Sequence, residues 1–332
     1  MDEVKISVIM PVFNSENTLG RAAESVLAQV ETEFELIIVN DGSTDKSENV
    51  ARHYAEIDSR IKLITQANGG PLAAIRTGMQ LAKGNFVAFL DADDEYHKNY
   101  LSELYRVTTE YDADIAVCGF YHRTGDETVE RKMCQGGKVY ERKEIQECLV
   151  GRFLSERILM GARWNKLFKR ACIENALNNI TSDFNYGEDV VMVLGAFFEA
   201  SKIVVSEACL YYYYDTEQSL EKRMSGLDQR MTSAEIMYKN EIDVLGNYKR
   251  MDLLPYAAYY HYREILAHFK ELSKEMKSHN ECMTRMKAVL KNRATCHALK
   301  YAPKENRKSR VVIWLMKRRR VLLLRILLKN AN

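Results

Sequence analysis

Short apolar runs alternate with helix-like segments over the first 120 residues of the chain. Five of these runs are rich in Val, Ile and other strand-forming residues: KISVIMPVF, ELIIVN, IKLIT, NFVAFL and DIAVCGF. Continuous apolar runs of this length predict strands that are buried on both faces of a sheet. The segments between them show helical spacing, as at Leu19, Ala22 and Val26. The alternation predicts an α/β fold with a mostly parallel sheet and crossover helices.

The pattern changes twice further along the chain. Residues 121–224 mix short apolar runs, helical spacing and the aromatic run LYYYYD, whereas residues 225–303 keep helical spacing with few prolines or glycines. In residues 304–332, apolar blocks flank the basic stretch KRRR. A chain of 332 residues is also too long for one small core. We therefore predict an α/β domain at 1–224, with halves at 1–120 and 121–224, then a helical bundle at 225–303 and a separate tail at 304–332.

Polar side chains follow three of the predicted strands at the point where each strand ends. Asn14 follows the first strand, Asp41 the second, and the stretch FLDADDEY places Asp91, Asp93 and Asp94 after the fourth. Ligands of parallel sheets bind at the carboxyl ends of strands, so these side chains are expected to share a site. Carboxylates this close repel one another and are costly to bury. They predict a Mg²⁺ or Mn²⁺ ion that shares ligands with phosphates, or else a solvated cap of the next helix.

Composition argues against several kinds of site. The seven cysteines are scattered without a CxxC pair, so neither a zinc site nor a disulfide framework is expected. No run of about 18 apolar residues occurs, so no ordinary transmembrane helix is expected. The first strand is not followed by the GxGxxG of a Rossmann dehydrogenase, and the phosphate loop GxxxxGK[ST] does not occur.

The order of the remaining motifs resembles that of the family 2 glycosyltransferases. These motifs are VIMPVFN, NDGSTD, FLDADD, WNKLF, YGEDVVM and LYYYYDTEQS, and they span roughly residues 5–223, about two thirds of the chain. The resemblance implies the A-type glycosyltransferase fold, with a nucleotide-binding half at 1–120 and an acceptor half at 121–224. The order of WNKLF, GED and the tyrosine-rich strand is similar to that of bacterial enzymes that build exopolysaccharide, capsule or teichoic-acid polymers.

The resemblance assigns roles to the residues at the strand ends. Asp41 matches a carboxylate that accepts the uracil N3–H, with a simple turn residue as the alternative. Asp91 matches a residue at the ribose and metal, and Asp93 matches a metal ligand, so the expected cofactor is Mn²⁺ or Mg²⁺. Asp94 is expected to cap the next helix or to face the sugar. The expected nucleotide contacts are Pro11, Val12, Asn14, Asp41, Asn68, Arg76 and Asp91.

The sequence departs from the family at one phosphate contact. Ile75 stands where the family has an arginine, and Arg76 is the next residue. Arg76 is still expected to reach the diphosphate. Lys222 and Arg223, after the tyrosine-rich run, are either further diphosphate contacts or solvated charges.

The catalytic base is expected in YGEDVVM. Glu188 and Asp189 begin an apolar helix, where acids also complement the helix dipole. The family places its base at the second acid, so the resemblance implies Asp189 as the base, with Glu188 beside it in the catalytic site. A base fixed at a helix start can take the proton of an acceptor hydroxyl.

Positive charge is concentrated in the tail. Residues 304–329 contain ten Lys or Arg and one acid, which leaves 38 basic and 45 acidic residues in the rest of a chain whose net charge is +2. On a helical wheel the basic and apolar residues of the tail lie mainly on opposite sides. Arg319 and Arg320 intrude on the apolar side, so either the helix breaks there or these long side chains snorkel. The pattern predicts a basic amphipathic helix on an anionic membrane surface, or a stripe that packs on the bundle or on another copy. The basic side comprises Arg310, Lys317, Arg318, Arg325 and Lys329, and the apolar side Val312, Leu315, Met316, Leu322, Leu323, Ile326 and Leu327.

Together these features predict an inverting glycosyltransferase. The expected donor is a nucleotide sugar, specifically a UDP-sugar. The expected acceptor is a saccharide or lipid-linked hydroxyl in cell-surface polysaccharide or glycopolymer synthesis. The expected location is cytoplasmic, peripheral at the inner face of the cell membrane, with no nucleic-acid partner.

Two alternatives remain open at this point. One is a non-catalytic glycosyltransferase-like subunit that only binds or scaffolds. The other is a sugar-nucleotide pyrophosphorylase, which should carry a glycine-rich basic loop after its first strand. PVFNSENTLGR does not resemble such a loop.

Overall fold

The apolar runs at the start of the chain form one side of a mixed sheet. The computed structural model describes residues 4–30, 33–180, 187–215, 226–275, 278–303 and 307–329. Within it the first four runs are β1 (Ile6–Val12), β2 (Phe34–Asp41), β3 (Ile61–Gln66) and β4 (Phe86–Phe89). They lie in the order β3-β2-β1-β4 and pair in parallel. Almost every side chain of β1 and β2 is buried, as their continuous apolar runs predict.

Crossover helices connect these strands. The helix α1 (Leu19–Leu27) follows β1, α2 (Ser47–Ile57) follows β2 and α3 (Pro71–Leu81) follows β3. Helix α3 packs so closely on β1 that a Cβ at Gly78 would lie 2.5 Å from Ile9 Cγ2. Glycine at this position therefore allows the helix to approach the sheet.

The second part of the sheet contains antiparallel pairs. Strand β9 runs antiparallel between β4 and β6, whereas β10 is parallel to β6. The order of the sheet is β3-β2-β1-β4-β9-β6-β10-β5, with β7 on β6 and β8 on β10. The predicted α/β class is confirmed, and the sheet is more mixed than the sequence pattern indicates. The later strands are β5 (Glu95–Tyr96), β6 (Ile115–Thr124), β7 (Glu127–Arg131), β8 (Val139–Glu141), β9 (Lys166–Lys169) and β10 (Lys202–Tyr214).

Helices cover this second part as well. Helix α8 packs against α7, and its residues 191–198 are buried. This burial fixes the first turn of α8, which carries the two acids of YGEDVVM. In chain order, the helices between residues 100 and 199 are α4 (Tyr100–Glu110), α5 (Arg142–Glu144), a π-helical turn (Ile145–Leu149), α6 (Val150–Glu156), α7 (Arg170–Asn178) and α8 (Glu188–Glu199).

The chain divides into two compact units. The first comprises Met1–Val150 and Leu159–Glu217, and the second comprises Gly151–Ile158 and Gln218–Asn332. The predicted C-terminal helical region is present, and residues 151–158, assigned from the sequence to the acceptor half, belong to it. Its helices are α9 (Leu227–Asn247), a 3₁₀ turn (Met251–Leu253), α10 (Leu254–Glu275), α11 (His279–Val289), α12 (Arg293–Tyr301), α13 (Arg307–Lys317) and α14 (Val321–Lys329).

A buried ion pair explains why residues 151–158 belong to the helical unit. Arg157 Nη2 lies 2.6 Å from Glu241 Oε1 in α9, and only 1% of the Glu241 side chain is exposed. The Arg157 guanidinium also lies 3.8 Å from the centroid of the Tyr260 ring in α10. Separating such a pair would leave an uncompensated buried charge, so the pair ties this segment to α9 and α10.

The tail is also part of the helical unit. Helices α13 and α14 are separated at residues 318–320, where Arg319 has a φ of +52°, so the predicted break at the arginines is present. Helix α14 packs against α10. The buried face of the tail comprises Val312, Ile313, Leu315 and Met316 from α13 and Val321, Leu324, Arg325 and Leu328 from α14.

The break changes which side of α14 faces solvent. Leu322, Leu323 and Ile326 are exposed, whereas Arg325, assigned to the basic side, is buried. The single helical wheel is therefore wrong for α14, because residues 318–320 reset the helical phase. The apolar stripe of α13 packs within the unit, as the alternative interpretation predicts. No helix among the described residues is long and apolar enough to cross a membrane.

Burial of His261 predicts that this residue contributes less to the stability of the helical unit in acid. The His261 ring stacks on that of Tyr238 with 4.7 Å between centroids, and desolvation lowers the pKa of His261 to about 4 from an ordinary 6.5. As the pH falls, the unfolded chain binds this proton before the folded chain does. The contribution of His261 to the free energy of unfolding should therefore decrease as the pH falls below 6.5, by about 3 kcal/mol at pH 4.

Urea unfolding of the wild type and His261→Phe between pH 4 and 9 measures this contribution. Phenylalanine retains the aromatic stack and cannot be protonated, so the variant should lose less stability in acid. The difference between the two free energies of unfolding should be constant above pH 7. Parallel curves over the whole range would contradict a buried, neutral His261.

Candidate active site

Three carboxylates converge on one buried guanidinium. Asp91 Oδ1 accepts a hydrogen bond from Arg163 Nη2 at 2.5 Å, and Asp189 Oδ1 accepts one from Arg163 Nη1. Glu188 Oε1 lies 3.6 Å from the same Nη1 atom. Asp91 follows β4 and Asp189 lies in the first turn of α8. The structure therefore brings the expected metal site and the expected base to the two amino groups of Arg163.

The two acids at the start of α8 differ in their surroundings. The helix follows Gly187, whose φ of +75° is left-handed and favours glycine. Burial raises the pKa of Glu188, and the Arg163 guanidinium partly offsets the rise. The Asp189 side chain is 22% exposed, compared with 11% for Glu188. Asp189 is therefore the more accessible acid to an incoming hydroxyl.

A buried lysine fixes the loop before β9. Leu159 and Met160 have φ values of +61° and +55°, which are uncommon for residues other than glycine. Lys166 Nζ donates to the Met160 carbonyl at 3.1 Å, the Ala162 carbonyl at 2.7 Å and Asn165 Oδ1 at 2.7 Å. Desolvation lowers the pKa of Lys166 to about 7. The three acceptors compensate for the burial of its amino group and stabilise the loop conformation.

Trp164 and Asn165 attach the same loop to the sheet. The Asn165 carbonyl accepts from the Cys118 N–H at 3.0 Å, and Asn165 Nδ2 donates to the Cys118 carbonyl at 2.9 Å. The Trp164 ring stacks on Tyr211 of β10, with 4.3 Å between centroids. Arg163 thus begins a segment, RWNK, whose other three residues are fixed by buried contacts.

Asp94 supports the site from inside the fold. Its Oδ2 accepts from the Tyr211 hydroxyl at 2.8 Å, and its Oδ1 accepts from the Tyr214 N–H at 2.8 Å. Burial, and then the charges of Asp93 and Asp91, raise the pKa of Asp94 well above its usual range. The Tyr211 hydroxyl also accepts from the Asp91 N–H at 3.4 Å. The prediction that Asp94 caps the next helix is wrong, because its carboxylate is turned toward β10 and not toward α4.

Asp91 and Asp93 have the chemistry of a divalent-cation site. Asp93 is half-buried, and its carbonyl accepts from Arg21 Nη2 at 2.5 Å, which fixes the turn. Mg²⁺ and similar hard cations are often bound by one or two carboxylates, with substrate phosphates as further ligands. Among the described residues, no group of three or more His, Cys, Asp or Glu could hold a metal ion. A cation at Asp91 and Asp93 would complete its coordination with water and with phosphate oxygens of a substrate.

The ends of β1, β2 and β3 form a second polar cluster. Asp41 accepts hydrogen bonds from Gln66 Nε2 at 2.8 Å, the Gly69 N–H at 2.9 Å and the Gly70 N–H at 2.8 Å. Asp41 itself is 4% exposed. Its carboxylate is thus fixed by the loop that joins β3 to α3.

Asn14 and Asn68 border the turn that follows β2. Asn14 has a φ of +50°, and its Oδ1 accepts from the Thr44 N–H at 2.8 Å. A Cβ at Gly42 would lie 2.7 Å from the Asn68 backbone nitrogen, so glycine permits this close approach. Asn14, Asp41 and Asn68 are therefore neighbours.

The other predicted nucleotide contacts lie in different surroundings. Pro11 is half-buried, whereas Val12 is 1% exposed and belongs to the hydrophobic core. Arg76 Nη2 donates to the Ile180 carbonyl at 2.7 Å, in the segment after α7. Lys222 and Arg223 lie outside the described residues.

Sequence reasoning missed Arg163, which pairs with the acids, and Lys166, which fixes the loop that carries Arg163. Lys166 has a signal in the sequence, because it lies directly before the apolar pair of WNKLF, and a lysine buried there needs several acceptors. Arg163 has no such signal, because its partners Asp189 and Asp91 are 26 and 72 residues away.

Comparison with known proteins identifies the family. The model of the family described as Glycosyl transferase family 2 matches residues 7–176, half of the chain. The chain is also similar to the uncharacterized glycosyltransferase EpsJ of Bacillus subtilis strain 168. The two are 30% identical over 247 residues, which cover 73% of this chain and 71% of EpsJ.

Two solved structures share the fold. TarS 1–349 of S. aureus, in complex with UDP-GlcNAc, has a TM-score of 0.70 at 19% identity, over 98% of this chain and 90% of that chain. The mannosyltransferase PcManGT of Pyrobaculum calidifontis, in complex with GDP-Man and Mn²⁺, has a TM-score of 0.51 at 13% identity, over 98% and 88% of the two chains. The fold agrees with the family match, and this chain belongs to glycosyl transferase family 2.

Proposed function

We propose that this family 2 glycosyltransferase is an inverting, metal-dependent enzyme that moves a sugar from a UDP-sugar to an acceptor hydroxyl. The convergence of Asp91 and Asp189 on Arg163 carries the proposal. A single displacement needs a donor diphosphate and a proton acceptor side by side. Asp91 would hold the cation that binds the diphosphate, and Asp189 would accept the proton.

The surroundings of Asp41 support a donor that contains uracil. A carboxylate has about four lone-pair sites. N–H groups of Gln66, Gly69 and Gly70 already use three sites of Asp41. The remaining site suits the N3–H of uracil, whereas cytosine would present a lone pair there. The structurally similar TarS was solved with UDP-GlcNAc.

Asp91 and Asp93 are the proposed ligands of Mn²⁺ or Mg²⁺. A divalent cation at these residues, when bound, neutralises the negative charge that develops on the UDP leaving group. Tyr211 hydrogen-bonds the backbone of Asp91, and Arg21 hydrogen-bonds the backbone of Asp93. The turn that carries both carboxylates is therefore fixed before a donor binds, which lowers the cost of ordering the site.

Asp189 is the proposed catalytic base, with Glu188 beside it. The Glu188 side chain is 11% exposed and that of Asp189 is 22% exposed, so Asp189 is the acid that an acceptor hydroxyl can reach more easily. Asp189 takes the proton of the acceptor hydroxyl. The acceptor oxygen then bonds to the anomeric carbon from the face opposite UDP, and the bond from that carbon to the UDP oxygen breaks. Configuration inverts in one step without a covalent enzyme intermediate.

The proposed acceptor is a saccharide or lipid-linked hydroxyl in cell-surface polysaccharide or glycopolymer synthesis. The order of WNKLF, GED and the tyrosine-rich strand supports this class of pathway. The presence of both Asp93 and Asp189 favours a catalyst over a non-catalytic binding subunit.

The tail offers an apolar and basic surface to a membrane. We define the tail surface as Trp314, Leu322, Leu323 and Ile326, which are 54%, 49%, 53% and 51% exposed, together with the exposed basic residues 317–320. Apolar side chains of this kind insert among lipid headgroups, and each nearby Lys or Arg contributes about 1 kcal/mol on an anionic leaflet. We propose that this surface binds the enzyme to the cytoplasmic face of the cell membrane, where lipid-linked acceptors are available.

Asp93→Ala should abolish transfer and leave the fold intact, because a strand-end carboxylate binds the cation and is not part of the core. The assay measures UDP release from a panel of UDP-sugars with Mn²⁺ or Mg²⁺, and circular dichroism checks the fold. Asp126→Ala, at the exposed turn between β6 and β7, is the matched control and should keep full activity. Wild-type rates from Asp93→Ala in the presence of a chelator would exclude the metal role.

Asp189→Asn should lower kcat on the order of 10²–10⁴-fold, because the amide retains the shape of the side chain but cannot accept the proton. The dissociation constant for UDP, measured by calorimetry, should change little. Glu188→Gln should lower kcat less than Asp189→Asn does. A collapse of UDP affinity in Asp189→Asn would instead assign this residue to nucleotide binding or to structure.

Replacing Arg318, Arg319 and Arg320 together by glutamine should weaken binding to anionic vesicles on the order of 100-fold, the loss expected for three basic residues. The double variant Leu322→Ser with Leu323→Ser should also weaken binding to the same vesicles, because serine does not insert among the lipid headgroups as leucine does. These substitutions change only exposed side chains. Deletion of the tail would also remove buried residues of the helical core and destabilise the unit.

Co-sedimentation with vesicles of phosphatidylcholine, with or without phosphatidylglycerol, measures both effects. Ile236→Ser in α9, where the side chain is 37% exposed, is the matched control and should bind as the wild type does. UDP release should be the same in all these proteins. Equal co-sedimentation of wild type and tail variants at low and high salt would exclude the membrane role.

A further inference from the structure

Arg163 already supplies positive charge at the proposed metal site. Its Nη2 atom is 2.5 Å from Asp91 Oδ1, one of the two proposed metal ligands. A guanidinium and a divalent cation that share one carboxylate repel each other. The repulsion is poorly screened here, because the Arg163 side chain is only 6% exposed. Without a nucleotide, a cation would therefore compete with Arg163 for Asp91.

Asp91 is better able than Arg163 to change partners. The loop that carries Arg163 is fixed by the hydrogen bonds of Lys166 and by the stacking of Trp164. Arg163 also stays attached to Asp189 through its other amino group. By contrast, the Asp91 side chain is 29% exposed. Arg163 can therefore keep Asp189 in place while Asp91 turns toward another cation.

We propose that Arg163 is a positioning residue that neutralises Asp91 and Asp189 in the nucleotide-free enzyme and yields Asp91 to a divalent cation only when the nucleotide diphosphate binds with it. This inference rests on the proposed function of the site. The negative charge of the diphosphate offsets the repulsion between the cation and the guanidinium. Metal and nucleotide consequently bind with strong mutual cooperativity. Arg163 determines how strongly the nucleotide increases the affinity for the metal.

This role differs from that of an ordinary structural ion pair. If Arg163 only stabilised the fold, its loss would lower stability and leave the intrinsic metal affinity unchanged. If Arg163 competes with the metal, its loss frees Asp91 beside Asp93 and strengthens metal binding in the absence of nucleotide. The affinity for Mn²⁺ without nucleotide therefore distinguishes the two roles.

The experiment titrates Mn²⁺ into wild type, Arg163→Gln and Arg163→Lys, with and without UDP, and measures free Mn²⁺ by electron paramagnetic resonance. Without UDP, Arg163→Gln should bind Mn²⁺ about tenfold or more tightly than the wild type. The factor by which UDP strengthens Mn²⁺ binding should shrink correspondingly. Arg163→Lys keeps the charge, so its Mn²⁺ affinity should stay near that of the wild type.

Arg60→Gln is the matched control, because Arg60 also pairs with one aspartate, Asp58, away from the site. It frees a carboxylate in the same way and should leave Mn²⁺ binding unchanged. If Arg163→Gln lacks a cooperative thermal transition, the double variant Arg163→Gln with Asp189→Asn replaces it in the experiment. The second substitution removes one of the two carboxylate charges that the loss of Arg163 leaves uncompensated. This double variant should also bind Mn²⁺ more tightly than Asp189→Asn alone.

The outcomes separate this inference from the proposed function. If the wild type shows Mn²⁺–UDP cooperativity but neither Arg163→Gln nor the double variant gains Mn²⁺ affinity over its reference protein, the inference is wrong and the metal role stands. If the wild type binds no Mn²⁺ even with UDP, the metal-dependent mechanism itself is overturned, and the role inferred for Arg163 with it.

Discussion

Mutual repulsion of acidic side chains is the constraint that organises this site. Asp91, Asp93 and Asp94 follow one strand within four positions, and α8 brings Glu188 and Asp189 to the same region. Different neighbours stabilise each acid. Arg163 binds Asp91 and Asp189, the Tyr211 hydroxyl and the Tyr214 N–H bind Asp94, and Arg21 fixes the turn by hydrogen-bonding the Asp93 carbonyl. The aromatic strand β10 and the WNKLF segment are thus the structural support of the acids as well as parts of the core.

Local patterns predicted the elements of the sheet but not all of its connections. Strands β1 to β4 were predictable because each is a continuous apolar run, and the side chains at their ends follow directly from that assignment. The position of β9 between β4 and β6 was not predictable, because KLFK is short and its partners are distant in sequence. Once β9 is in place, Arg163 lies next to Asp91, so the missed strand and the missed arginine have one cause.

The tail was predicted well where the helix is regular and poorly where it is not. A wheel assumes one uninterrupted helix, and α13 obeys it with Val312, Leu315 and Met316 on its buried side. Residues 318–320 then change the direction of the chain, and the phase of α14 no longer follows from that of α13. Arg325 is buried and Leu322 is exposed for this reason. Packing, not the hydrophobicity of single residues, decided which leucines stayed on the surface.

The positions of the two tryptophans give the chain two separate optical reporters. Trp164 is 6% exposed and stacks on Tyr211 next to Arg163, so its emission should be blue-shifted and should respond to changes beside Arg163. Trp314 is 54% exposed on the tail, so its emission should lie near that of indole in water and should shift to shorter wavelength if a lipid surface covers it. The proposed binding of a donor and the proposed binding of the tail to a bilayer should therefore change emission at different wavelengths in the same unlabelled protein.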